Sequence, residues 1–163
     1  MIGAGGWGTA LSVIWARQGR AILLCGNNPS RVEELRASRE NSAYLPGINL
    51  PEAIGLTSDL HSCADADLIV FVTPSTALRE TAGRLAEVKI NSNAVLLSCI
   101  KGIEHGTGKR MSEILAEIFP HRTIAVLSGP NLAADTGPIA SSTAKAKAPK
   151  LRRPAQPRSR NLR

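Results

Sequence analysis

The sequence opens on a glycine pattern of the form Gly-x-Gly-x-x-Gly, with glycines at positions 3, 5 and 8. In such a turn the first glycine permits a tight bend out of a strand, and the second lets backbone N–H groups approach a pyrophosphate. The third lets the next helix pack close to the sheet, so that its positive N-terminal end faces the phosphates. The pattern predicts a dinucleotide-binding turn, but on its own it has low specificity.

Only Met1 and Ile2 precede this turn, whereas a buried parallel strand usually has about five or six residues. The first strand of a doubly wound sheet lies at its centre, so a short one leaves its neighbours partly unpaired. We therefore expect a chain that is truncated at its N-terminus and whose first strand is largely missing.

Apolar runs typical of strands alternate with helical patterns as far as residue 135. The runs are at 21–25, 54–58, 68–72, 94–100 and 123–127, and the helical patterns after the one at the glycine turn are at 31–39, 75–85 and 107–118. This alternation predicts an α/β fold, Rossmann-like and doubly wound, with a mostly parallel sheet covered by helices on both faces.

The net charge of +7 comes from the end of the sequence. Residues 136–163 hold eight Lys and Arg and no acidic residue, which leaves 12 basic against 13 acidic residues in 1–135. The segment 136–163 also lacks hydrophobic periodicity, so we expect a disordered basic tail, and the abrupt change fits translation in another reading frame. Because the charge is confined to a tail without aromatic residues, we expect no nucleic-acid partner.

Composition also argues against a membrane, metal or disulfide protein. No apolar run approaches the roughly 20 residues of a membrane span, so no membrane insertion is expected. The three cysteines, Cys25, Cys63 and Cys99, form neither a Cys-x-x-Cys pair nor a metal-ligand spacing. They predict reduced thiols in a cytoplasmic protein with no metal site.

Five motifs in a distinctive order carry a family resemblance. They are the glycine turn at 3–11, Tyr-Leu-Pro-Gly at 44–47, Val-Thr-Pro-Ser at 72–75, Ser-Cys-Ile-Lys-Gly-Ile-Glu at 98–104 and Leu-Ser-Gly-Pro-Asn-Leu-Ala at 127–133. Together they resemble the bacterial NAD(P)-dependent glycerol-3-phosphate dehydrogenases over residues 1–135, which correspond to the N-terminal half of those enzymes. The resemblance implies an NAD(P)-binding Rossmann domain over 1–135.

The resemblance also implies an activity, the reversible hydride transfer between sn-glycerol 3-phosphate and dihydroxyacetone phosphate that supplies phospholipid synthesis. It implies NAD or NADP as the cofactor. In the family a C-terminal helical domain provides the catalytic lysine and clamps the substrate phosphate. We expect that domain to be absent from this chain, so no catalytic residue is assigned here, and a homodimer is expected only of the full-length enzyme.

Carried over position by position, the resemblance gives two sets of site residues. The cofactor-binding set is Gly3, Gly5, Gly6, Trp7, Gly8, Asn27, Asn28, Tyr44, Lys101 and Ala133. The substrate-binding set is Lys101, Gly129 and Asn131.

Several of these positions have simpler readings. Trp7 could simply pack against its neighbours without contacting a cofactor. Lys101 could be an ordinary surface lysine, although a cation just past the carboxyl end of a strand suits a phosphate. Asn131 could be a helix cap, and Tyr44 could anchor a loop with its hydroxyl in water.

The end of the second strand leaves the choice of cofactor open. A carboxylate there would bind the ribose 2′-hydroxyl of NAD, and an arginine would accept the 2′-phosphate of NADP. This sequence has Asn27 and Asn28 instead, where many family members carry His or Arg, and Arg31 follows one turn later.

Two other functions compete with a dehydrogenase fragment. A stand-alone dinucleotide-binding module, or a remnant without function, would share the glycine turn. A binder of nucleic acid or of membrane surfaces would act through the basic tail and lose salt-dependent binding when 136–163 is deleted.

We expect the 163-residue chain to show no dehydrogenase activity with either cofactor, because removal of the alcohol proton requires a general base held in reach of the substrate. The assay follows the absorbance of NADH and NADPH with dihydroxyacetone phosphate as substrate. Turnover above that of an empty-vector preparation would contradict the expectation.

Overall fold

The computed structural model of the chain describes residues 1–129, which contain four α-helices and five β-strands. The helices are α1 (Gly6–Arg17), α2 (Pro29–Ser38), α3 (Leu78–Ala86) and α4 (Met111–Ile118). The strands are β1 (Ile22–Cys25), β2 (Ile54–Thr57), β3 (Leu68–Phe71), β4 (Val95–Ser98) and β5 (Ile124–Val126). Two short 3₁₀ turns, Leu60–Cys63 and Ser75–Ala77, precede β3 and α3.

Every paired strand in the described part is parallel to its neighbour. β2 pairs with β1, and β3, β4 and β5 pair in that order. Residues 1–3 form the N-terminal segment, which joins the two groups because Ile2 makes parallel bridges to both Cys25 and Phe71. The spatial order is therefore β2, β1, the N-terminal segment, β3, β4 and β5.

Backbone hydrogen bonds hold the N-terminal segment on both sides. The Ile2 N–H donates to the carbonyl of Val70 at 2.7 Å, and the Ile2 carbonyl accepts from the N–H of Val72 at 2.9 Å. On the other side, the Gly3 N–H donates to the carbonyl of Cys25 at 2.9 Å. The N-terminal segment thus occupies the central position that the sequence predicts for the first strand, and it pairs there through the two bridges of Ile2.

Two apolar clusters lie on opposite faces of the sheet. One contains Ile69 and Phe71 of β3 with the inner sides of α3 and α4. The other contains Val70 with the inner sides of α1 and α2. Because successive side chains of a strand point to opposite faces, β3 supplies both clusters. Helices therefore cover both faces, which confirms the predicted doubly wound α/β fold.

The predicted element boundaries were wrong at three helices. Helix α4 begins at Met111 and not at Thr107, because Gly106 and Gly108 have positive φ angles of 88° and 69° and the Glu113 carboxylate caps the Arg110 N–H at 2.8 Å. The first turn predicted for α3 is the 3₁₀ turn Ser75–Ala77.

Helix α2 starts earlier than predicted, with Pro29 as its first residue. The Asn28 side chain caps it by accepting from the Arg31 N–H at 3.2 Å. Proline at the first helical position after an Asn cap is a favoured helix start, so the sequence already contained this signal.

Two glycines allow α1 to approach the sheet closely. Gly3 has a φ of 118°, and a Cβ there would lie 2.7 Å from the Val72 carbonyl carbon. A Cβ on Gly8 would lie 2.0 Å from the Gly3 carbonyl oxygen. Backbone thus meets backbone at both positions, and a side chain at either would push α1 away from the sheet.

We expect Gly8→Ala to lower the free energy of unfolding by about 2–3 kcal/mol, since the added methyl group meets backbone that cannot move aside. Gly83→Ala is the matched control, because a Cβ at this α3 position meets no atom within 4 Å. This control should raise stability by roughly 0.5–1 kcal/mol through helix propensity. Urea unfolding followed by circular dichroism measures both, and equal effects of the two variants would contradict the close contact.

Candidate functional site

A cleft of about 310 Å³ lies at the carboxyl ends of β1, β3 and the N-terminal segment. β1 lies on one side of the N-terminal segment and β3 on the other, so the strand order reverses here. Open α/β sheets bind ligands at such a reversal point. The glycine turn contributes Gly3, Ala4 and Gly5, and the end of β1 contributes Cys25, Gly26, Asn27 and Asn28. Arg31, Tyr44, Thr73, Thr81 and Arg84 are polar residues lining the other walls.

Gly5 leaves the start of α1 open to the cleft. It occupies the N-cap position without a side-chain cap, and a Cβ built there meets no atom within 4 Å. The N–H groups of the first helical turn have no acceptor within the helix, and they carry the positive end of the helix dipole. Together these features make an anion-binding surface of backbone atoms.

A buried asparagine fastens this turn. Asn41 is 1% exposed, and its Nδ2 donates to the Ala4 carbonyl at 2.9 Å and to the Thr9 Oγ1 at 2.8 Å. It ties the turn and α1 to the loop that follows α2. Sequence reasoning missed this residue, because an Asn at the start of a loop gives no signal of a contact with residues more than thirty positions away.

Arginine side chains line the cleft and carboxylates do not. Among the described lining residues, Arg31 and Arg84 are the cationic ones, and no Asp or Glu is present. The Arg31 guanidinium lies 5.0 Å from the centroid of the Tyr44 ring, which is a cation–π distance. The electrostatic potential of the cleft therefore favours an anion.

Thr73 places a hydroxyl group at the cleft wall next to Gly3. Its Oγ1 is buried and has no hydrogen-bond partner among the residues that the structure describes. A buried hydroxyl without a partner costs free energy, so such groups usually mark a place where another molecule supplies the bond. Sequence reasoning included Thr73 in a family motif without giving it a role.

Lys101 lies outside the cleft, past the carboxyl end of β4, with its side chain exposed. The loop that it begins, 101–110, is held by an ion-pair network. The Glu104 carboxylate accepts from Arg79 Nε at 2.6 Å and from Arg79 Nη2 at 2.9 Å. Thr107 also donates to it through Oγ1.

Glu117 of α4 extends the network. It pairs with Arg79 at 3.1 Å and with Lys109 at 2.6 Å. The Arg79 guanidinium, with help from Thr107, lowers the pKa of Glu104 to about 2. The loop after Lys101 is thereby fixed against both α3 and α4.

The structure brings five of the proposed site residues together. Gly3, Gly5, Asn27, Asn28 and Tyr44 all line the cleft. The remaining described ones, Gly6, Trp7, Gly8, Lys101 and Gly129, lie outside its lining.

These remaining residues have different surroundings. Gly8 is buried beneath the turn, and the Trp7 side chain packs against the apolar cluster formed with α1 and α2. Gly129 is the last residue described. The predictions at Asn131 and Ala133, and that of a disordered tail, lie outside the described residues.

Other classes of site have no support within 1–129. That part of the chain contains no group of His, Cys, Asp and Glu that could hold a metal ion, and no helix long and apolar enough to cross a membrane. Cys25, Cys63 and Cys99 are free and buried. Burial raises the pKa of the Cys99 thiol to about 12, so it stays protonated at neutral pH.

A parallel sheet wound on both faces, with a glycine turn at the start of a helix and a cleft at the reversal point, defines the Rossmann class of α/β proteins. A sequence model of the NAD-dependent glycerol-3-phosphate dehydrogenase N-terminus matches residues 1–150. The chain belongs to this family.

Similar proteins in other organisms agree with this assignment. The chain is 46% identical over 135 residues to a glycerol-3-phosphate dehydrogenase [NAD(P)+] of Rhodopseudomonas palustris, strain BisA53, covering 83% of this chain and 40% of that protein. Its identity to the Desulfitobacterium hafniense Y51 protein of the same name is 38%, over 83% of this chain and 38% of that protein. The chain thus spans about two fifths of the length of these relatives.

Solved structures give the same result. Glycerol-3-phosphate dehydrogenase from Coxiella burnetii superposes with a TM-score of 0.74 at 32% identity, covering 84% of this chain and 42% of that one. The Plasmodium falciparum enzyme superposes with the same TM-score of 0.74 at 28% identity, over 83% and 41% of the two chains.

We expect Glu104→Gln to lower the free energy of unfolding at neutral pH and to flatten its pH dependence. Because the pKa of Glu104 is about 2 in the folded protein and ordinarily near 4.5, its contribution is present above about pH 4.5. That contribution is lost as the pH falls toward 2. Urea unfolding at pH 6, 4.5 and 3 measures the difference between the two proteins.

A double-variant cycle tests the assigned partner. If Arg79 provides the stabilisation, Arg79→Gln combined with Glu104→Gln should cost less than the sum of the two single variants. Strictly additive effects would show that this ion pair does not stabilise the loop.

Proposed function

We propose that residues 1–135 of this chain form the NAD(P)-binding domain of a glycerol-3-phosphate dehydrogenase. The reaction is the reversible hydride transfer between sn-glycerol 3-phosphate and dihydroxyacetone phosphate. The observation that carries the proposal is the cleft at the reversal point of a sheet whose chain belongs to this family. In the complete enzyme we expect a homodimer acting in the cytoplasm.

The residues of the cleft fit a dinucleotide. Gly5 leaves room above the start of α1 where a pyrophosphate would lie, and the first-turn N–H groups supply donors for it. Arg31 and Arg84 match the negative charge of the ligand, and the buried Thr73 hydroxyl offers a hydrogen bond that the described protein does not use. Shape, charge and an unused polar group all favour the same ligand.

The glycine turn divides into two roles. Gly3 and Gly8 let the chain bend and let α1 lie close to the sheet. Gly5 and the backbone N–H groups of Gly6 and Trp7, at the start of α1, are proposed to bind the cofactor phosphates. Asn41 contributes indirectly, since it fixes the Ala4 carbonyl and so the shape of the turn. Tyr44, Asn27 and Asn28 line the end of the cleft beyond β1 and are proposed to contact the adenosine side.

The substrate side belongs to the carboxyl ends of β4 and β5. Lys101 is proposed to lie between the cofactor and the substrate phosphate, where its positive charge would bind the dianion. Gly129 and Asn131 are also proposed to bind the substrate, and Ala133 is proposed to bind the cofactor. The nicotinamide supplies or accepts the hydride when it is bound. Lys101 can orient the phosphate end of the substrate, while removal of the alcohol proton is assigned to the family's helical domain.

We expect Gly5→Asp to abolish measurable binding of NADH and NADPH while keeping or raising the stability of the chain. Asp is a favoured N-cap and suits the helix dipole, but its carboxylate would occupy the space for the pyrophosphate and repel it. Isothermal titration calorimetry measures the binding, and urea unfolding measures the stability.

Gly5→Asn is the matched control, because it caps the helix without adding a charge. It should bind the cofactors more weakly than the parent chain but at least about tenfold better than Gly5→Asp, a difference of about 1.4 kcal/mol. Unchanged binding in Gly5→Asp would show that the phosphates do not lie at the start of α1.

A further inference from the structure

We propose that this chain selects NADP over NAD, and that Arg31 of α2, held by Tyr44, binds the phosphate on the adenosine 2′-oxygen. The inference rests on the proposed function and names the cofactor that the same cleft takes. The residue that binds the 2′-phosphate would then lie in the first turn of α2, and not at the end of β1.

The end of β1 lacks the group that NAD selection requires. A carboxylate at this point would accept hydrogen bonds from the ribose 2′-hydroxyl and repel a 2′-phosphate. Asn27 and Asn28 carry no charge, and the Asn28 Oδ1 is already used to cap α2. With no Asp or Glu among the described lining residues, nothing in the cleft repels a further phosphate.

Arg31 is placed to attract that phosphate. It lies in the first turn of α2, the helix that follows β1, and its side chain is partly buried at the cleft wall. A cation in the first turn of a helix opposes the helix dipole, so this position does not serve the stability of α2. The dipole and the guanidinium instead favour an anion at the same place.

The surroundings hold the Arg31 guanidinium ready without neutralising it. Its carbon lies 5.0 Å from the centroid of the Tyr44 ring, and Arg31 takes part in none of the salt bridges found in 1–129. An aromatic face limits the motion of a guanidinium and leaves its N–H donors available. Arg84, on another wall of the cleft, adds a second positive charge of the same kind.

The test measures binding of NADPH and NADH to the 163-residue chain and to Arg31→Gln by isothermal titration calorimetry. We expect NADPH to bind the parent chain at least about tenfold tighter than NADH, as expected for hydrogen bonds to a charged group. In Arg31→Gln the NADPH affinity should fall by about that factor, whereas NADH, which lacks the 2′-phosphate, should lose much less affinity. Arg17→Gln, which removes an exposed charge at the far end of α1, should leave both affinities unchanged.

A second variant tests the same inference from the opposite direction. Asn27→Asp adds a carboxylate at the end of β1 and should reverse the preference toward NADH. Tyr44→Phe should keep the NADPH preference, because the ring remains, and Tyr44→Ala should weaken it.

The outcomes separate the two proposals. Binding of both cofactors with equal affinity, or an NADPH preference that survives Arg31→Gln, overturns this inference and leaves the proposed cofactor site intact. Failure of the parent chain to bind either cofactor overturns the proposed function itself.

Discussion

The described structure depends on the backbone hydrogen bonds of its first three residues. Met1, Ile2 and Gly3 join β1 to β3, and without those bonds the β2–β1 pair and the β3–β4–β5 group would be separate sheets. The same segment turns at Gly3 into α1, whose start forms the floor of the cleft. One short stretch of backbone therefore sets both the continuity of the sheet and the position of its binding surface. The close approach of Gly8 to the Gly3 carbonyl holds α1 against this stretch.

Much of the fold could be predicted because its signals are local. Each strand is an apolar run bounded by polar or turn residues, and the glycine pattern predicted both the turn and the helix after it. The predictions are wrong where two local signals conflict. The predicted α4 extends back to Thr107, whereas Gly106 and Gly108 favour a loop there. The Asn28-Pro29 pair suits a turn as well as the start of a helix, and in the structure it starts α2.

The candidate site was predictable only in part, because its walls come from distant parts of the sequence. The glycines and the asparagines after β1 belong to a recognisable motif or lie at a predictable strand end. Asn41, Thr73 and Arg84 reach the turn or the cleft only through the packing of α1, β3 and α3. The network of Arg79, Glu104 and Glu117 likewise joins a loop to two helices, and no spacing in the sequence predicts these ion pairs.

Charge in this chain acts through its placement and not its amount. Residues 1–129 carry 12 basic and 12 acidic residues, so the described part is neutral overall. Several acidic side chains pair with arginines and lysines away from the cleft, as around Glu104 and Glu113. The described lining of the cleft includes Arg31 and Arg84 and no carboxylate. A neutral domain can therefore present a local positive potential to a dinucleotide, because clefts with low-dielectric walls focus the field of the few charges that line them.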